Sequence, residues 1–189
     1  MPGSPIPHPV LGSLLRYWQV KRGTRALPSR RDIDPLEMGP DLLPHLLLAD
    51  LLDRGTRVRF RLVGTSVVKR IGFDPTGRYL DGEMSGGWWE LLASLHRLVY
   101  SERAPVYAES QFVWGSGRRM RAQHLLLPLV QDGTDPAIAL GGIAFASDEV
   151  FPPTIRALGP HAVHEEGRRL VLKQLPRLES ACALSRGAA

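Results

Sequence analysis

From Thr56 to Val63 the chain alternates strictly: Val58, Phe60 and Leu62 share one parity, and Arg57, Arg59 and Arg61 share the other. A period of two places those two sets on opposite faces of a β-strand with one side buried. The run before it, Leu46 to Leu52, is bounded by Pro44-His45 and by Asp53-Arg54-Gly55. The two runs therefore read as a hairpin that opens an antiparallel sheet.

After Val63 the period changes. Val67, Val68 and Ile71 fit one or two helical turns, ended by Gly72 and Asp74-Pro75. Gly86-Gly87 then lead into a longer helix with Trp88, Leu91, Leu92, Leu95, Leu98 and Val99 as an apolar stripe, stopped before Pro105. Three strands are expected next, at Val106–Trp114, Arg118–Leu129 and Ala137–Ala146, separated by Gly115-Ser116-Gly117 and by the polar turn Gln131–Pro136. Two strands, a helical middle and three strands close as an α+β fold: one five-stranded antiparallel sheet with helices on one face.

The ends read differently. Residues 1–10, proline-rich and without apolar periodicity, are expected to be a disordered lead. Residues 11–45 follow as a helix and connector. Leu11, Leu14, Leu15 and Trp18 lie on one helical face that ends at Gly23, and the connector is expected to be ordered with a short helical turn. The core spans 46–148. Residues 149–189 form a tail in which Ala162–Leu178 is expected to be a basic helix, with Gly167 and Pro176 against it.

Composition excludes more than it identifies. No apolar run approaches the roughly 20 residues that cross a bilayer, and the proline-rich start lacks the features of a signal peptide, so a cytoplasmic location without membrane association is expected. The single cysteine, Cys182, cannot form a disulfide framework or thiolate metal cluster within one chain. The net charge is +5, but 21 of the 24 basic residues are arginine, a bias that weakens a nucleic-acid reading. The tail from Val150 contributes +3 of that charge: Arg156, Arg168, Arg169, Lys173, Arg177 and Arg186 against Glu165, Glu166 and Glu179.

The segment VGTSVVKRIGFDPTGRYLDGEM, with Gly72-Phe73 and then Gly77, Arg78 and Leu80, resembles the middle of a PAS domain, where a short helix gives way to a turn and a ligand-side helix. MRAQHLLLPLVQDGTDPAIALGGIAFASD is similar to the last PAS hairpin, and RYWQVKRGTRALPSRRDIDPLEM resembles the start of a stand-alone bacterial PAS family, common in alphaproteobacteria and long catalogued as a domain of unknown function. The resemblance covers about residues 14–148. It implies a sensory or regulatory module that binds a small molecule or a signalling protein and passes the signal through protein contacts. It carries over no catalytic residues, so no enzyme is expected, and the identity of any cofactor is left open.

A PAS ligand sits between the inner sheet face and the helices. Parity nominates Val58, Phe60, Leu62, Met120, Ala122 and Ile143 as lining residues, although the same side chains would serve a solid, ligand-free core. His96, beside the helical stripe, and His124, sharing parity with Met120 and Ala122, join them as rings able to coordinate a haem iron or to accept hydrogen bonds. A flavin photosensor would require a reactive cysteine near the middle helices, where none occurs.

Leu14, Leu15 and Trp18 are candidates for packing on a second copy, as in a homodimer, or on the chain's own sheet. Arg57, Arg59 and Arg61 with Arg118, Arg119 and Arg121 could meet an acidic partner. His161, His164 and Glu165 have helical spacing for a metal but no third defined ligand, so no metal site is expected. Phosphate-loop, nucleophile-elbow and zinc-protease motifs are absent. The rival readings are a ligand-free dimerisation adaptor and a nucleic-acid binder acting through the basic tail.

Overall fold

The structure, a computed structural model, describes residues 6–80, 84, 87–113, 119–146, 154–157 and 169–170. Strands β1 (Leu46–Leu52) and β2 (Arg57–Val63) form the expected hairpin, followed by helices α2 (Thr65–Ile71) and α3 (Gly87–Glu102). Strands β3 (Val106–Val113), β4 (Arg119–Leu129) and β5 (Ile138–Ala146) complete an antiparallel core sheet of order β2-β1-β5-β4-β3. β1 thus pairs β5 in the centre, which joins the two ends of the core. The sheet continues beyond β3 through β6 (Thr154–Ala157) and the two-residue β7 (Arg169–Leu170).

Local chemistry explains the boundaries. Gly72 stops α2 in the left-handed conformation, φ 90°, and its N–H donates to Val68 O. At the β1–β2 turn, Asp53, Arg54 and Gly55 all take positive φ. The outer edge of β2 is not left open: Phe60 N donates to Arg78 O, and Gly77 N and Leu80 N donate to Phe60 O and Val58 O. That stretch, which includes the Gly-Arg-Tyr-Leu step, blocks the edge against strand addition.

Two cores lie on opposite faces. The inner one packs α2 and α3 on Ala49, Val58, Phe60, Val106, Ala108, Ala122, Leu126 and Ile143. The outer one packs α1 (Pro9–Arg22) and the connector on Leu125, Leu127, Leu129, Ile138 and Leu140. The sheet is therefore covered on both sides, by α2 and α3 on one face, as expected, and by the N-terminal helix and connector on the other.

Residues 6–10 are not part of a disordered lead, and the rest of that expectation, residues 1–5, lies outside the described residues. Ile6 is buried in the outer core, and α1 starts at Pro9, a residue suited to the first turn because its absent N–H needs no partner there. Gly142 lets the helix approach: a Cβ there would lie 2.7 Å from Leu11 Cδ2 and 3.0 Å from Leu14 Cδ2. Trp18 is 2% exposed, and its indole N–H donates to Pro128 O at 3.0 Å. Leu14, Leu15 and Trp18, nominated for a dimer contact, thus spend their apolar face on the chain's own sheet, and a pairing of copies would use another surface.

The connector contains three 3-10 turns, at Arg30–Asp32, Pro35–Glu37 and Leu43–His45, where one was expected. Ser29 and Asp32 form a capping box around the first of them. The connector is stitched to the end of β4 by Arg30 N to Val130 O and Val130 N to Pro28 O.

In the tail, Arg169–Leu170 pair with β6 and are not part of the expected helix. Gly167, two residues earlier, is a poor helix former, and the edge of β6 offers ladder partners in its place. Most other tail residues, including Cys182, His161, His164 and Glu165, lie outside the described residues.

Candidate functional site

One irregularity decides which side chains reach the inner face. Leu48 pairs Leu62 while the next residue, Ala49, pairs Phe60, so Arg61 is an extra residue in β2. Such a bulge resets the side-chain alternation. Val58 and Phe60 keep their inward parity, 2% and 1% exposed, but Leu62 turns outward and is 45% exposed. Val63 takes the inner position that parity had assigned to Leu62. Leu62 is therefore no lining residue of the inner site.

Ala122 and Ile143 face the inner core as expected. Met120 pairs Phe112 through its backbone, and its side chain lies outside the described part of the structure. His96 and His124 are both more deeply placed than their polarity suggests, 0% and 1% exposed. His96 comes from α3, four residues after Leu92, and its ring makes a T-shaped contact with Phe60, centroids 6.3 Å apart. His124 comes from β4 and lies 6.3 Å from Trp88, the first tryptophan of α3.

Hydrogen bonding defines the protonation of the first ring. Nδ1 of His96 lies 2.7 Å from Leu92 O. A carbonyl only accepts, so the neutral ring carries its proton on Nδ1 and presents a bare lone pair at Nε2. That Nε2 is buried without a hydrogen-bond partner among the described residues. His124 Nε2 pairs Ser110 Oγ of β3 at 2.8 Å, and its Nδ1 is likewise buried and unpartnered. Each such atom costs about 1–3 kcal/mol relative to a satisfied one. Two of them, projected from a helix and a strand onto one face, form a polar spot inside an otherwise apolar core.

Burial keeps both rings neutral. It lowers the His96 pKa from 6.5 to about 4, partly offset by the bond to Leu92, and lowers that of His124 to about 3, with His96 as the second cause. In the unfolded chain both rings protonate near 6.5. Between about pH 4 and 6.5 the unfolded chain binds more protons than the folded one, so acidification favours unfolding. Folding stability is expected to drop by up to about 3 kcal/mol per pH unit as pH falls below 6.5, roughly 1.4 from each histidine. Urea unfolding at pH 7.0 and 5.5 checks this; a flat profile, or one unchanged in His96→Leu, would contradict the burial of neutral rings.

The arginine stripe proposed for an acidic partner is divided. β1 and β5 separate β2 from β4, and the register offsets Arg57, Arg59 and Arg61 from Arg121 by six or more residues along the strands, so the two groups lie more than about 20 Å apart. Arg118 lies outside the described residues. Arg61 Nε is 2.6 Å from Asp50 Oδ1, and Arg57 stacks over Tyr79 at 4.0 Å. Two of these cations are thus engaged within the chain.

Among the described residues, no group of three or more His, Cys, Asp or Glu could hold a metal ion, and no helix is long and apolar enough to cross a membrane. Sequence parity had located His124 on the inner face, but nothing local signalled that His96, at the flank of its helix, would be enclosed. The ring packs on Phe60 of β2, a residue distant in sequence, while the turn at Gly55 closes on the helix backbone, where a Cβ would meet Tyr100 Cβ at 2.7 Å and the His96 carbonyl at 3.4 Å.

A search of curated proteins found no match. The family model of the PAS domain matches residues 6–144, a span that takes in α1 and the connector as well as the five-stranded sheet and both inner helices. The chain belongs to the PAS domain family, whose members serve as sensory or regulatory modules.

Proposed function

We propose that this chain is a PAS sensor that holds a small neutral molecule against the inner sheet face, bound through His96 and His124, and that it signals by altering its contacts with another protein. The observation that carries this reading is the bare Nε2 lone pair of His96, fully buried and aimed into the core between α3 and the sheet. A ligand N–H or O–H satisfies it, and Nδ1 of His124 provides a second polar contact. The surrounding Phe60, Trp88, Ala122 and Ile143 provide apolar contact. Because α3 carries one histidine and β4 the other, occupancy would bias the packing of the helix on the sheet, which gives the module something to transmit.

The test is an absorbance spectrum of freshly purified protein, with mass spectrometry of whatever denaturation releases. A stoichiometric compound in wild type, reduced about tenfold or more in folded His96→Leu, is expected from the loss of one buried hydrogen bond. A haem or flavin band would identify that compound as a cofactor. No released compound from any preparation would overturn the ligand reading in favour of an adaptor with a solid core.

A further inference from the structure

The outer face carries a cavity that the PAS reading does not use. It has a volume of about 540 Å³ and lies between the connector and the β1–β2 hairpin, lined by Ile33, Met38, Leu43, Leu48 and Leu62 among others. A volume of this size is in the range of small-molecule sites. The bulge at Arg61 helps to build it, since this is where the outward-turned Leu62 points. Leu43 and Leu62, 39% and 45% exposed, leave apolar surface facing solvent at its margin.

Its polarity is concentrated at one place. Among the described residues, Arg30 and Thr65 are the only polar side chains in the lining, and Arg30 is the only charged one. Arg30 Nη1 donates to Ile33 O at 3.0 Å, and the guanidinium forms no ion pair among the described residues. The neighbouring acids are committed elsewhere: Asp32 Oδ2 pairs Arg25 at 2.8 Å, and Asp132 lies 3.5 Å from Arg31. A half-buried guanidinium at the edge of an apolar cavity is complementary to a carboxylate on a hydrocarbon chain. A peptide fits poorly, because the walls offer almost no partners for its backbone polar groups and the outer edge of β2 is already paired.

We infer that this cavity is a second binding site, independent of the inner histidines, for a free medium-chain fatty acid, with the acyl chain among the leucines and the carboxylate on Arg30. Dodecanoate titrated calorimetrically into the full chain below its micellar concentration is expected to bind saturably at one site. Arg30→Gln should weaken dodecanoate by roughly tenfold or more while leaving dodecan-1-ol unchanged, the size expected for one hydrogen bond to a charged group. Leu62→Glu, at an exposed position, should weaken it by like-charge repulsion in a chain that still folds by circular dichroism. No saturable binding, or equal affinity in wild type, Arg30→Gln and Leu62→Glu, would overturn the inference. Binding lost in folded His96→Leu but kept in Leu62→Glu would also overturn it, by moving the ligand to the inner face. Failure of the inner-ligand reading leaves the Arg30→Gln and Leu62→Glu results untouched, since neither of those two substitutions alters His96 or His124.

Discussion

Phe60→Glu is expected to abolish folding, while Leu62→Glu, two residues along the same strand, is expected to leave the fold intact. Phe60 is 1% exposed and sits in the inner core beside His96. Removing such a ring costs about 3–5 kcal/mol through lost transfer energy and an unfilled cavity. A carboxylate placed there without a partner adds several kcal/mol more. That sum is comparable with the roughly 5–15 kcal/mol by which a domain of this kind is stable. Leu62 is 45% exposed on the opposite face, where a charge keeps most of its hydration, and a cost of at most about 1 kcal/mol is expected. Urea titrations followed by far-UV circular dichroism separate the two. Unfolding of both variants would mean that Leu62 faces the core and that β2 has no bulge.

Trp18→Ala should destabilise the chain by about 3–5 kcal/mol, and Trp18→Phe by about 1–3 kcal/mol. The alanine variant loses the largest fully buried side chain of the outer core and with it the anchor of α1. The phenylalanine variant keeps most of the packing but removes the indole N–H that Pro128 O accepts across 110 residues of sequence. Native-state hydrogen exchange should show α1 opening first in both, because its remaining hold on the sheet is the packing of Leu11 and Leu14 on Gly142, and its polar contacts, Tyr17 with Asp34 and Lys21 with Glu37, reach only the connector. If Trp18→Ala were within about 1 kcal/mol of wild type, α1 would be a loosely attached segment. The face of Leu14, Leu15 and Trp18 would then again be open to a second copy.

Much of the architecture was legible in local patterns. The alternation of Thr56–Val63, the punctuated strands after Pro105 and the stripe from Trp88 to Val99 each predicted an element that the structure contains, with ends displaced by a residue or two. Such patterns are readable because each element must present one apolar face to a core, and that requirement is written at a fixed period. The candidate site was legible in part. Val58, Phe60, Ala122, His124 and Ile143 face inward as parity required, because none of them is separated from its neighbours by an irregularity.

By itself the sequence determined which segments are strands and which are helices, their antiparallel closure, the PAS resemblance and most of the inner face. The tertiary structure alone decided three further things: that Leu62 faces outward, that His96 is enclosed with its Nε2 bare, and that α1 with its connector covers the second face of the sheet and leaves a cavity beside Arg30. Each of these depends on a partner remote in the chain. The bulge exists only in the register of β2 against β1, the His96 ring packs on Phe60 of β2, and α1 docks on Gly142 and Pro128. Local periodicity records the face that a residue presents, whereas register and docking are set by contacts between segments whose separation a periodic pattern does not encode.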